Sequence, residues 1–190
     1  MSKIALTPNA SGTGTLTIQS PNTSTDRTLT LPDETGTVDT LSRAGNVLQV
    51  VNFSVSSGGS TTSTSYVDTN LTASITPQAS GNKILILVSQ YFGWSAGSSG
   101  RERIDVLLKL TGATTADLNP IYYWGTDSNS GYQLRVLSMN YLYTTTSAAQ
   151  HTFTTQVRKA NQNAVETGTI NYSTYANSQN NNIVLMEIAA

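Results

Sequence analysis

From residue 47 onward, apolar side chains recur at every second position in one segment after another, the pattern of strands half-buried on a core. Val47, Gln49, Val51, Phe53 and Val55 alternate onto one face of a first long strand. Residues 57–62, Ser-Gly-Gly-Ser-Thr-Thr, read as a loop, and residues 66–75 as a second strand ended by Thr76-Pro77. Ile84 to Val88 is an unbroken aliphatic run, which suits a strand covered on both faces by a central position in its sheet or by an intersubunit contact. Residues 95–100 form a second small-residue loop. Ile104, Val106, Leu108 and Leu110 then point one way while Arg103, Asp105 and Lys109 point the other. Leu137, Met139, Tyr141 and Tyr143 mark a further strand, and His151, Phe153, Thr155 and Val157 the next. Val165–Asn171 and Ile183–Ile188 complete the set. No window of about 11 residues holds helical spacing. The expected fold is all-β: an antiparallel β-sandwich, jelly-roll-like, preceded by an extended arm of short strands.

The arm has a different rhythm. Thr15-Leu16-Thr17-Ile18, Thr28-Leu29-Thr30-Leu31 and Thr37-Val38-Asp39-Thr40 are three short β phrases fenced by Pro21, Pro32 and Gly36. Each holds one or two aliphatic side chains, too little burial to offset backbone ordering at roughly 1–2 kcal/mol per residue. Such a segment needs neighbours: identical chains winding around it, or a larger surface to lie on. Residues 40–46, Thr-Leu-Ser-Arg-Ala-Gly-Asn, read as a hinge of one helical turn closed by Gly45. The expected organisation is an anchoring and trimerisation arm, 1–45, and a sandwich head, 46–190.

Composition narrows the function. Charged residues are 11% of the chain, against roughly 25% in ordinary proteins. The net charge of −1 shows no basic stripe, which argues against nucleic acid as a partner. The longest aliphatic run is far short of a membrane span, and the first residues have no apolar core of a signal peptide, so no membrane partner is expected and folding in a cytoplasm is. With no cysteine there is neither a disulfide nor thiolate chemistry. Ser and Thr together occupy 53 of 190 positions, and threonine's branched Cβ suits a pleated sheet, so this polarity is compatible with order.

At this point the opening Met1-Ser2-Lys3-Ile4-Ala5-Leu6-Thr7-Pro8-Asn9-Ala10, with Gly14-Thr15-Leu16-Thr17 and Arg27-Thr28-Leu29-Thr30-Leu31-Pro32-Asp33, resembles the N-terminal module of tailed-bacteriophage virion proteins. These are mostly tail-fibre-like and capsid-decorating proteins, often of marine and cyanobacterial phages. Thr64-Ser65-Tyr66-Val67-Asp68 and Ile75-Thr76-Pro77, leading into Lys83-Ile84-Leu85-Ile86, are similar to the β-sandwich heads such proteins carry. The resemblance covers most of the chain. It implies a virion structural protein, typically a homotrimer, and brings no catalytic motif with it.

Candidate chemistry is sparse. His151 is the single histidine, and its alternation with Phe153 and Val157 points to packing rather than to a base. The stretch from Asp127 to Gly131 imitates the first half of a calcium loop, but Ser138 stands where the bidentate glutamate belongs, so it reads as a hydrophilic hairpin tip. No catalytic residue, cofactor or metal ligand is nominated. Leu16, Ile18, Leu29, Leu31 and Val38 are the candidate anchoring residues of the arm. Trp94, Tyr122, Tyr123 and Trp124 lie where strands run out into Ser/Gly loops and serve either packing or stacking on a host-surface glycan. The leading expectation is a non-enzymatic capsid decoration (cement or head-fibre) protein, bound through its arm to a major capsid protein and located on the virion. A short tail or baseplate fibre bound to a tail protein is the first alternative, and a carbohydrate-binding module the second.

Overall fold

The computed structural model describes residues 7, 10–15, 17–28, 43–95, 100–127, 132–160, 169–172 and 181–190, and only the backbone at 94–95, 100–102, 122–127, 132–135 and 171. The chain divides into two units, Met1–Val38 and Asp39–Ala190. In the first, no described residue belongs to a strand. Thr15, Thr17 and Ile18 form no ladder, Ile18 is 80% exposed, and Thr25 N–H donates to Thr23 Oγ1 in a local turn. The first expected β phrase thus finds no partner within the described residues. The other two, apart from Thr28, lie outside them.

The described residues of the second unit form ten strands: β1 Val47–Val55, β2 Gly59–Thr61, β3 Val67–Ile75, β4 Lys83–Ser95, β5 Gly100–Gly112, β6 Ala116–Asp127, β7 Tyr132–Thr144, β8 His151–Ala160, β9 Thr169–Tyr172 and β10 Asn181–Ile188. No described residue is helical. The eight longer strands pair as nested hairpins: β5 with β6, β4 with β7, β3 with β8, and β1 with β10, all antiparallel. Rolling that nest up gives two sheets, β1-β10-β4-β7 and β3-β8-β5-β6. The order is that of a jelly roll, so the sandwich is all-β as the alternation implies. Beyond the reach of β10, β9 pairs with the far half of β4, and β2 with β9.

The two sheets close on one core. Leu71 and Ile75 from β3, Ile84 and Ile86 from β4, Ile104, Leu108 and Leu110 from β5, Leu137 from β7, Phe153 from β8, and Ile183 and Leu185 from β10 are fully buried. Each such side chain contributes about 1.5–3 kcal/mol relative to exposure. Tyr143 meets the edge of Phe153 with ring centroids 6.0 Å apart. Inward-facing positions alternate with outward ones along β3, β8 and β10, as half-buried strands require.

Three details depart from the sequence reading. The 57–62 loop contains β2, and Gly59 lies under the Tyr172 ring of β9, so a Cβ there would have to displace the far end of that side chain. β6 is a full strand that its irregular pattern hides. It is interrupted by Asn119 at φ 45 and by Pro120, where the register against β5 slips between Val106 and Leu108. Asparagine tolerates that conformation, and proline's missing N–H is harmless on an edge strand. Residues 128–131 of the stretch read as a hairpin tip lie outside the described residues; β6 before them and β7 after them belong to different sheets. Finally, the described part of the hinge, residues 43–46, is a turn: Asn46 N–H donates to Arg43 O at 3.1 Å, and Gly45 N–H and Ala189 N–H tie residues 45 and 46 to the last strand's end.

Candidate interaction surface

The polar groups buried inside the sandwich hold the fold together. At one end, Glu187 on β10 faces inward and is fully buried. Its carboxylate accepts from Gln49 Nε2 at 2.5 Å, Asn82 Nδ2 at 2.6 Å and Gln78 N–H at 2.7 Å. Burial pushes its pKa up, but the Gln49, Asn82, Gln78 and Ala79 donors outweigh that and hold it below the ordinary 4.5. The same Asn82 accepts from Ala190 N–H, and Gln49 also donates to Thr76 O, so one carboxylate organises the β3–β4 turn and the chain's last residues. In mid-core, Gln90, Thr69 and Thr155 form a hydrogen-bonded triangle between the sheets.

His151 is fully buried, donates from Nδ1 to Ala149 O at 2.7 Å, and packs on Tyr143 at 5.5 Å. Among the described residues no hydrogen bond places a carboxylate or hydroxyl beside it, and its Nε2 has no partner there. Asp105, on the outer side of β5, is fully buried between Arg103 Nε at 2.6 Å and Arg158 Nη2 at 2.8 Å, and the Arg158 guanidinium lies 4.5 Å over the Tyr66 ring. Among the described residues there is no group of three or more His, Cys, Asp or Glu able to hold a metal. No helix among them is long and apolar enough to cross a membrane.

The two outer faces of the sandwich differ in kind. Where its side chains are described, that of β3-β8-β5-β6 carries polar groups paired with one another. Thr72 bonds Thr154, Ser74 bonds Thr152, Gln156 donates to Asp68 and Lys109 to Asp117, each across neighbouring strands. The outer face of β1-β10-β4-β7 is apolar. One row across its four strands reads Val50, Met186, Leu85, Leu142, and the next reads Asn52, Val184, Leu87, Asn140. Val47, Val50, Val136 and Leu142 are 54%, 56%, 48% and 51% exposed. A third row, Ser54, Asn182, Ser89, Ser138, borders this band with small polar groups. An apolar centre with a polar margin is the anatomy of a protein contact rather than of a reaction site.

The sequence singled out other positions. Ile18 is exposed; Leu16, Leu29, Leu31 and Val38 lie outside the described residues. Trp94 falls in β4 opposite Ile170 and Gln133, while Tyr122, Tyr123 and Trp124 fall in β6 opposite Asp105, Ile104 and Arg103. Their side chains are outside what the structure describes, but the two tryptophans belong to different sheets. The sequence reading took Ile84–Val88 as covered on both faces but did not join it with the second aliphatic run, Ile183–Met186; together they supply the middle strands of the apolar face. A run apolar in both phases fills the core with one phase and the outer face with the other.

No protein family matches the chain, and no curated protein matches it. Among solved structures it is similar to a chain of the structure of infectious bursal disease virus Gx strain, with a TM-score of 0.42 and 8% identity over 75% of this chain and 32% of that one. A chain of the Gt strain structure gives a TM-score of 0.39 and 11% identity over 84% of this chain and 39% of that one. The chain thus spans well under half of either.

Proposed function

We propose that this protein is a non-enzymatic structural component of a virion, decorating the capsid exterior, with residues 1–45 as the arm that anchors it and the sandwich 46–190 displayed. The observation that carries this reading is how the head uses its polar chemistry. Glu187, Asp105, His151 and the Gln90 triangle all make bonds that hold strands or loops, while the outer face of β1-β10-β4-β7 offers an apolar band. That arrangement suits adhesion. The resemblance of the arm to phage virion modules supports the particle assignment, and the unpaired Thr15, Thr17 and Ile18 agree with an arm that needs other chains around it. Three arms winding together would satisfy that need and give a homotrimer.

Many copies, each adding strand pairing and apolar contact across capsid joints, would stabilise the shell by mass action. Copy number in purified particles tests the assignment. Hundreds per particle agree with capsid decoration; a few tens or fewer would replace it with a tail or baseplate position. Residues 1–45 fused to an unrelated trimer should attach to particles lacking the protein, and failure of that fusion to bind removes the anchoring role.

A further inference from the structure

We propose that the outer face of β1-β10-β4-β7 is covered by a second copy of this chain. The assignment stands on the sandwich alone and holds whatever particle the protein belongs to. Four exposed apolar side chains, Val47, Val50, Val136 and Leu142, share this face, whereas on the described part of the opposite outer face hydroxyls, amides and ions pair across strands. Leu85 and Met186 join Val50 and Leu142 in one continuous row. In β1 and in residues 136–144 of β7, the strands flanking the face, there is no charged residue and no proline. The equivalent outer strand of the other sheet, β6, carries Pro120 and a bulge, devices that discourage edge contacts.

The occupant follows from area and charge. Four strands at about 4.8 Å spacing and about seven residues at 3.3 Å give a plan of roughly 19 by 23 Å, about 440 Å². Side-chain relief adds to that, so the face supplies more than half of the roughly 800 Å² per partner of a standard interface. A partner must desolvate a surface with Lys83 as its only charge in rows shared by all four strands, so it must itself be apolar and uncharged there. Another copy offers a face of that chemistry, and a net charge of −1 per chain opposes its approach very little.

The chain has no cysteine, so single introduced thiols report on the face without interference. In the full-length protein, Leu142→Cys on this face and Thr72→Cys on the polar face are each reacted with a maleimide-polyethylene glycol, beside a light-scattering mass. Both sites are exposed in the single chain, so either substitution is tolerated; Val50→Cys repeats the measurement on the same row. The expected result is a mass above one chain and labelling of Leu142→Cys about tenfold slower than Thr72→Cys, as when the face is free about a tenth of the time. Equal labelling rates would overturn the proposal. Slow labelling in a protein of single-chain mass would overturn it too, because residues of the same chain would then be the cover.

Discussion

Thr155 Oγ1 on β8 donates to Gln90 Oε1 on β4 at 2.7 Å, and this bond crosses the core from one sheet to the other. Gln90 Nε2 in turn donates to Thr69 Oγ1 on β3 at 3.1 Å, and the Thr69 and Thr155 hydroxyls bond each other. With Thr155 donating to the amide, Thr69 must donate to Thr155, and the donors run in one closed direction around three buried side chains. A ring with each of these bonds made fixes how the sheets slide over one another, since any shift breaks several bonds at once.

Thr155→Val should therefore cost far more than Thr155→Ser. Valine keeps the volume but removes the donor to Gln90 Oε1 and the acceptor of the Thr69 O–H, a loss of about 2 kcal/mol. Serine keeps the ring and loses one buried methyl, about 0.8 kcal/mol. Urea midpoints of the two variants check the order, and a valine variant as stable as the serine one would show that the ring contributes nothing.

Glu187 makes stability fall in acid. Its folded pKa lies below the ordinary 4.5, so between the two values the unfolded chain binds more protons and protonation favours unfolding. The contribution is complete above about 4.5 and is lost as pH falls through the lower folded value. Glu187→Gln should melt lower than the parent at pH 7 and lose part of the parent's acid dependence below 4.5, which melting curves from pH 7 to 3 would record.

Asp105 is the larger electrostatic liability. Removing it leaves the Arg103 and Arg158 guanidiniums side by side without the buried carboxylate between them, so Asp105→Ala should destabilise by about 3 kcal/mol. Arg158→Ala should cost much less, because its side chain is 36% exposed and Arg103 still pairs with the aspartate. Chemical denaturation of both variants at low and high salt gives the comparison.

The sandwich was legible because its strands alternate cleanly: the inward set Ile104, Val106, Leu108 and Leu110 and the inward set from His151 to Val157 are the buried sets of β5 and β8. Pairing order was not legible, since which strand lies beside which depends on long-range closure that no local pattern encodes. β6 escaped because Asn119 and Pro120 break its period where the bulge lies. The apolar face was half legible. The run Ile84–Val88 announced a strand apolar on both sides, but only the register with β10 and β7 shows that Leu85 falls in line with Met186 and Leu142. Glu187 gave no signal at all, because its partners Gln49, Gln78 and Asn82 are distant in sequence.

Two glycines with the same backbone conformation should respond very differently to alanine. Gly81 has φ +91 and Gly112 φ +99, both in the region where a Cβ costs roughly 1–2 kcal/mol. Around Gly81 a new Cβ meets nothing within 4 Å, so Gly81→Ala should cost that amount and no more. At Gly112 the added Cβ would collide with the backbone carbonyl oxygen of Gln150. That oxygen cannot simply move, because it accepts the Ala113 N–H at 2.9 Å and is followed directly by His151, whose strand pairs with Gly112. Gly112→Ala must therefore push the β5–β6 turn away from the start of β8, and its cost should exceed that of Gly81→Ala by about 2 kcal/mol or more. Thermal melts of the two variants decide it: equal melting temperatures would mean that the turn carries no close approach.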